Sequence, residues 1–190
     1  MDLSRTEIWQ IKLMNKYLLK QIKKRYNNKR IKILDIGSGY GFLSGLVKKN
    51  KYDITEIDIK PQNSKVIKAD VYKLPFRNNS FDVITSKSSF CYWEDSDKAL
   101  YEITRVLKPN GYLFIMDIKK PKNKLIKNFL LIMDRIFLGG KNKSGAMKDF
   151  LNRAYSLEEL NKVLKNKSID YKIKICYWGL YYLIIGENKK

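Results

Sequence analysis

The segment Asp35-Ile36-Gly37-Ser38-Gly39-Tyr40-Gly41 constrains this chain more than any other. It follows the apolar run Ile31, Ile33, Leu34 and leads into a helix-like stretch from Phe42 to Lys49, so it reads as the turn between a buried strand and a helix. Glycines at alternate positions leave no Cβ in the way, and the backbone can turn tightly and press its N–H groups against a ligand at a helix N-terminus. The spacing is G-x-G-x-G, where dinucleotide-binding folds carry G-x-G-x-x-G, and an acidic residue opens the turn. Both features point away from NAD.

A second apolar run, Ile54 to Ile59, carries Asp58 near its end, 23 residues after Asp35. A doubly wound fold places at this point the carboxylate that accepts hydrogen bonds from a ribose. Val66-Ile67-Lys68-Ala69-Asp70 reads as a short strand ending in a carboxylate, and Ser80 to Ser86 as another buried strand. Leu107 to Ile115 reads as a helix end, a turn at Lys108-Pro109-Asn110-Gly111 and a strand.

This ordered series, from Asp35 to Ile118, resembles the class I S-adenosylmethionine-dependent methyltransferases, in the small-molecule and lipid branch that includes the ubiquinone and menaquinone biosynthesis enzymes. The resemblance implies an α/β, Rossmann-like, doubly wound sheet of seven mostly parallel strands, helices on both faces and an antiparallel C-terminal hairpin strand. It implies S-adenosyl-L-methionine as cofactor. Asp35, Gly37, Ser38, Gly39 and Gly41 would surround the methionine moiety, and Asp58 with Ile59 would hold the ribose side. Asp70 and Val71 would meet the adenine, and Ser86, Lys87 and Ser88 would line the cofactor toward the substrate. Two departures stand out. Only seven residues separate Asp58 from Val66, so the helix usual between strands two and three is at most a turn, and the adenine pocket is expected to be open. Ser89-Phe90-Cys91-Tyr92-Trp93 lies where relatives often carry a histidine pair, yet the chain has no histidine, which excludes imidazole acid/base chemistry.

Composition sets outer limits. At 190 residues the chain is expected to form a single domain, with an N-terminal helix over 1–27 and a lid-like insertion over 119–155. Cys91 and Cys176 lie far apart, outside any C-x-x-C spacing, so neither a disulfide framework nor a metal site is expected. Met1 to Thr6 lacks a signal-peptide pattern, and the longest uncharged run, 175–186, is too short to span a bilayer; a cytoplasmic protein is expected. With 39 Lys and Arg against 19 Asp and Glu, the net charge is +20. Such a field attracts polyanions: nucleic acid, an anionic membrane surface or an acidic substrate. Abundant Lys and Asn make compositional bias the rival explanation, and no nucleic-acid module is recognisable.

Ser156 with Glu159 forms a capping-box pattern before Leu160, Val163 and Leu164, and Ile169 to Cys176 and Trp178 to Ile185 read as two strands joined near Tyr177. In the insertion, Leu125, Ile126, Phe129, Leu130, Ile132, Met133, Ile136, Phe137 and Leu138 form a broad apolar face among Lys122, Lys124, Lys127 and Arg135, interrupted by Asp134 and Arg135, which argues against spanning, and followed by Gly139-Gly140. This is expected to cover the site, or to dip into a membrane interface. A sulfonium is already an activated methyl donor, so little side-chain chemistry is obligatory. Where a base is needed, the candidates are Tyr40, Lys87, Tyr92 and Glu94; Tyr40, Phe90, Tyr92 and Trp93 are candidates for cation–π and stacking contacts. The acceptor is expected to be a small molecule or lipid. RNA methylation is the alternative that the charge favours, although strand four ends Thr85-Ser86-Lys87-Ser88, without an N/D-P-P-Y/F motif. A non-catalytic cofactor-binding subunit is the other.

Overall fold

Apolar runs separated by amphipathic stretches fold into one sheet of seven strands with helices on both faces. The computed structural model describes residues 5–26, 29–47, 52–137, 146–165 and 168–190. In chain order the elements are α1 (Arg5–Tyr26), β1 (Ile31–Ile36), α2 (Phe42–Val47), β2 (Tyr52–Asp58), β3 (Ile67–Lys68), β4 (Phe81–Lys87), α3 (Ser96–Val106), β5 (Leu107–Ile118), α4 (Lys124–Phe137), α5 (Ala146–Arg153), α6 (Leu157–Leu164), β6 (Ile169–Cys176) and β7 (Tyr181–Asn188), with a 3-10 turn at Phe90–Tyr92. The spatial order is β3-β2-β1-β4-β5-β7-β6. The first five strands run parallel, and β7 lies antiparallel between β5 and β6. This is the mixed sheet implied by the resemblance.

The central strands are nearly continuous apolar runs because both faces are covered. On one face Leu18 and Ile22 of α1 meet Ile33, Val83, Phe114 and Leu183. On the other, Leu100 and Ile103 of α3 and Leu160 and Leu164 of α6 meet Leu34, Ile84 and Ile115. Local signals hold where their partners are close in sequence. Asp95 accepts the Lys98 N–H at 2.9 Å and caps α3. Ser156 Oγ accepts the Glu159 N–H, and Glu159 Oε2 accepts the Ser156 N–H at 2.7 Å, so the capping box is complete.

Three boundaries differ from the sequence expectation. The strand expected over 66–70 shrinks to two residues, Ile67–Lys68, and the preceding stretch crosses in turns with no helix. The expected turn at 108–111 sits inside β5 as a register shift: Leu107 pairs with Phe81, and the ladder resumes with Tyr112 opposite Val83. The hairpin turn is longer than expected, because Tyr177 and Trp178 both take positive φ, 49° and 55°, and β7 starts only at Tyr181. The insertion over 119–155 holds α4 and α5, while Gly139-Gly140 lies outside the described residues. Among the described residues no helix is long and apolar enough to cross a membrane.

The β5 irregularity leaves the carbonyls of Leu107 and Lys108 turned toward β7, where buried Asn188 donates its Nδ2 to both, at 3.0 and 3.2 Å. Asn188→Ala strands these acceptors, and is expected to lower stability by about 1–3 kcal/mol, read from denaturant midpoints. An unchanged midpoint would mean the acceptors are satisfied without Asn188.

Candidate functional site

Three consecutive residues at the end of β2 hold the loop that follows β1. The Ile57 carbonyl accepts the N–H groups of Gly37 and Ser38, at 2.9 and 3.0 Å. Asp58 accepts the Gly39 N–H at 2.8 Å through Oδ2 and the Lys60 N–H at 2.8 Å through Oδ1. Glu56, buried, sends Oε1 to the N–H groups of Leu43 and Ser44, at 2.9 and 3.1 Å, and so satisfies the start of α2. The sequence reading pressed the loop N–H groups and the helix N-terminus against a ligand. In the structure the N–H groups of Gly37, Ser38, Gly39, Leu43 and Ser44 are bonded within the chain, and the anion at the start of α2 is the protein's own Glu56. Gly37 is required by contact as well as conformation, since an added Cβ would overlap Ser89 Oγ. Gly39, at φ 55°, has open space where a Cβ would point.

Asp35, at 1% exposure, ends β1 in register with Thr85 of β4, so both side chains lie on one face of the sheet. It accepts the Thr85 hydroxyl, and both of its oxygens receive the Lys87 ammonium, at 2.7 and 2.8 Å. The Lys87 side chain is 10% exposed. An ion pair this sheltered is held by mutual satisfaction, and either charge alone would be costly.

A second polar group lies on the opposite face at the same end of the sheet. Asp117 near the end of β5 is fully buried and accepts the N–H groups of Ile118 and Cys91, at 2.8 and 3.2 Å. Burial pushes its carboxyl up to about 7, against these hydrogen bonds, which pull it down. Burial first, then Asp117, holds the Cys91 thiol well above its usual range, so it is no nucleophile. Asp117 pairs across the ladder with Tyr182, whose buried hydroxyl, like that of Ser86, has no hydrogen-bond partner among the described residues. Beside them the 3-10 turn and the segment joining α5 to α6 enclose a cleft of about 490 Å³, lined in part by Cys91, Trp93, Glu94, Lys120, Arg153 and Tyr155.

The residues expected from sequence fall into three places. Gly37, Ser38, Gly39, Tyr40 and Gly41 form the loop, Asp35, Ser86 and Lys87 line its base, and Asp58 closes on it. Ile59, beside Asp58, is 58% exposed, an apolar wall facing solvent. Asp70 accepts the Tyr72 N–H at 2.9 Å and so organises its own turn, with half-buried Val71 packed on the core. Tyr92 and Glu94 stand apart from the loop, on the cleft side. Tyr92 stacks on Phe150 with ring centroids 6.0 Å apart, under the Arg153 guanidinium. Its hydroxyl is pushed up to about 12, chiefly by burial, so it stays protonated at neutral pH and is not available as a base. Trp93 donates its Nε1 to Ser89 Oγ at 3.2 Å and packs edge-on against Phe90, so both rings serve as wall. Glu56 and Asp117 were missed by sequence reasoning; for Asp117 a lone carboxylate within an apolar strand run was the available signal, whereas Glu56 shares its strand with Asp53 and Asp58.

Residues 34–115 match a family described as a methyltransferase domain. A demethylmenaquinone methyltransferase of Chlorobaculum tepidum is 29% identical over 154 residues, 71% of this chain and 64% of the relative. A ubiquinone/menaquinone biosynthesis C-methyltransferase of Idiomarina loihiensis is 44% identical over 59 residues, 31% of this chain and 24% of the relative. The chain thus spans less than two thirds of the length of either curated relative. Among solved structures, a SAM-dependent methyltransferase from Aquifex aeolicus superposes with a TM-score of 0.63 at 22% identity, over 89% of this chain and 88% of that one. One from Methanosarcina mazei gives 0.65 at 20% identity, over 88% and 96%. These structural likenesses are of fold.

Two expectations follow from the buried charges. Asp35→Asn leaves the Lys87 ammonium without its counter-charge and is expected to cost about 3 kcal/mol of stability, with recovery when Lys87→Met is added. A double variant no more stable than the single would dissolve the ion-pair account. For Asp117, the folded chain keeps a proton that the unfolded chain releases near its ordinary carboxylate value, so its contribution to stability falls as pH rises from about 4 to about 7. Asp117→Asn removes this dependence. The variant's unfolding free energy relative to the parent should therefore climb across that window, and a gap independent of pH would show that Asp117 titrates normally.

Proposed function

We propose that the chain, whose residues 34–115 match a methyltransferase domain, transfers a methyl group from S-adenosyl-L-methionine to a small-molecule or lipid-like acceptor. The observation that carries this reading is the end of β2, where Glu56, Ile57 and Asp58 meet the donors of the glycine loop and of α2. A pyrophosphate needs free N–H groups and a helix N-terminus. Here Asp35, Glu56 and Asp58 surround the loop with carboxylates, an environment that suits hydroxyls and a cation.

The residues fit the cofactor on their own chemistry. Asp58 is placed to accept hydrogen bonds from ribose hydroxyls with the lone pairs that Gly39 and Lys60 leave over. Exposed Ile59 and the Asp70-Val71 turn offer an apolar wall and a carboxylate for the base. Asp35 and Lys87, bonded to each other, fix the base of the loop on the side where the amino-acid end of the cofactor would lie. Open space over Gly39 admits close approach. When bound, the cofactor supplies a methyl group already activated on sulfur. The protein's task is then to orient an acceptor and keep water out. The mostly buried group of Ser86, Asp117 and Tyr182 borders the acceptor side, and Asp117, with its carboxyl near 7, can hold or release a proton there. The quinone methyltransferase relatives support a lipid-like acceptor. The charge of +20 supports a second reading, methylation of RNA.

Calorimetric titration with S-adenosylmethionine, S-adenosylhomocysteine and NAD in parallel tests the reading. Saturable binding of the first two alone is expected, followed by labelled methyl transfer into a lipid or small-molecule extract; transfer into RNA would select the second reading, and binding without transfer a non-catalytic subunit. NAD binding, or failure of all three in folded protein, overturns it. Asp58→Ala should weaken S-adenosylmethionine binding by about 1.5–3 kcal/mol, and unchanged affinity would remove Asp58 from the site.

A further inference from the structure

Helix α4 has two apolar faces, and the fold uses one. Leu130 and Leu131 pack around Ile118, Leu151 and Tyr181. Leu125, Phe129 and Ile132 are 79%, 59% and 56% exposed, and their i, i+4, i+7 spacing aligns them in one stripe. A second apolar group is exposed on the same edge of the sheet. Trp178 is wholly exposed at the tip of the β6–β7 turn, in a left-handed conformation that bulky residues rarely adopt. That turn is pinned to the start of the α4 segment: the Lys119 N–H donates to the Leu180 carbonyl at 2.8 Å, and the inner face of α4 packs near Tyr181.

Basic residues predominate around this surface, although Lys120 is paired with Glu159 and Asp134 follows on α4. From Ile118 to Met133 the chain carries five lysines and no acidic residue. Lys122 and Lys124 are exposed, with no ion pair among the described residues. Apolar side chains in a stripe, an indole held out into solvent and lysines at the border are what the interface of a bilayer receives: the apolar groups enter the headgroup boundary and the ammoniums meet lipid phosphates. Nucleic acid would use the lysines and stack bases on exposed rings, but it offers no partner to the aliphatic Leu125 and Ile132 of the stripe.

We propose that the outer stripe of α4 and the indole of Trp178 form one docking surface for an anionic lipid bilayer. This stands apart from the methyl-transfer reading, since it uses no residue of the cofactor loop. The surface lies at the end of the sheet where β1, β4 and β5 finish, so docking would set the Asp35, Asp58 and Asp117 end toward the lipid.

The test is co-sedimentation of the full chain with phosphatidylcholine vesicles with and without phosphatidylglycerol, alongside tryptophan emission. Partition onto the anionic vesicles at least about tenfold above the neutral ones is expected, with a blue shift in emission that Trp178→Phe removes. Leu125→Ser combined with Phe129→Ser, and Trp178→Ala separately, should each reduce partition several-fold while thermal unfolding stays as in the parent. Equal binding to both vesicle types overturns the proposal, as does a shift that survives Trp178→Phe. So does unaltered partition of both variants with RNA displacing the vesicles, which would assign the charge to nucleic acid. If one variant unfolds, the other and the emission measurement decide.

Discussion

Glu56, Ile57 and Asp58 form the joint on which the site is built. In three consecutive residues β2 supplies a side-chain carboxylate to α2, a backbone carbonyl to Gly37 and Ser38, and a second carboxylate to Gly39. Alternation along a strand turns Glu56 and Asp58 to one side, with the Ile57 side chain buried on the other. The loop is therefore shaped by its neighbour strand before any ligand arrives, and a site formed in advance costs a ligand less to occupy.

Polar chemistry at this end of the sheet is divided between its two faces by the same alternation. Asp35, Thr85 and Lys87 lie on one face, and Ser86, Asp117 and Tyr182 on the other. The first set is mutually satisfied: a carboxylate, a hydroxyl and an ammonium close on one another. The second is not, with two hydroxyls lacking partners among the described residues and a carboxyl raised by burial. A satisfied cluster fixes geometry, and an unsatisfied one retains capacity to bond something else.

Much of the fold was legible because its signals are local or strongly periodic. The glycine loop, the apolar runs of the individual strands and the Ser156 capping box all rest on residues near one another in sequence, while the parallel order of the strands came from the resemblance. Asp58 was legible through its distance from Asp35. Glu56 was not, because its partners, Leu43 and Ser44, lie 13 and 12 residues back on another element, and its role exists only once β2 is beside α2. Asp117 reads as an interruption of an apolar strand, and only tertiary burial gives it its proton affinity. The hairpin turn was placed correctly at Tyr177 but read too short, because Trp178 carries strong strand propensity, and the structure overrides it with two left-handed residues.

The position of β7 bears on the order in which the molecule can be assembled. It lies between β5 and β6 although both precede it in the chain. Until residues 181–188 have been synthesised, the apolar edge of β5 has no neighbour on that side, and β6 has no partner at all. A nascent chain lacking that strand presents the unpaired backbone that templates association with other chains. The interval between the appearance of Ile118 and that of Asn188 is thus when this protein is most exposed to aggregation, and when chaperone protection would matter most.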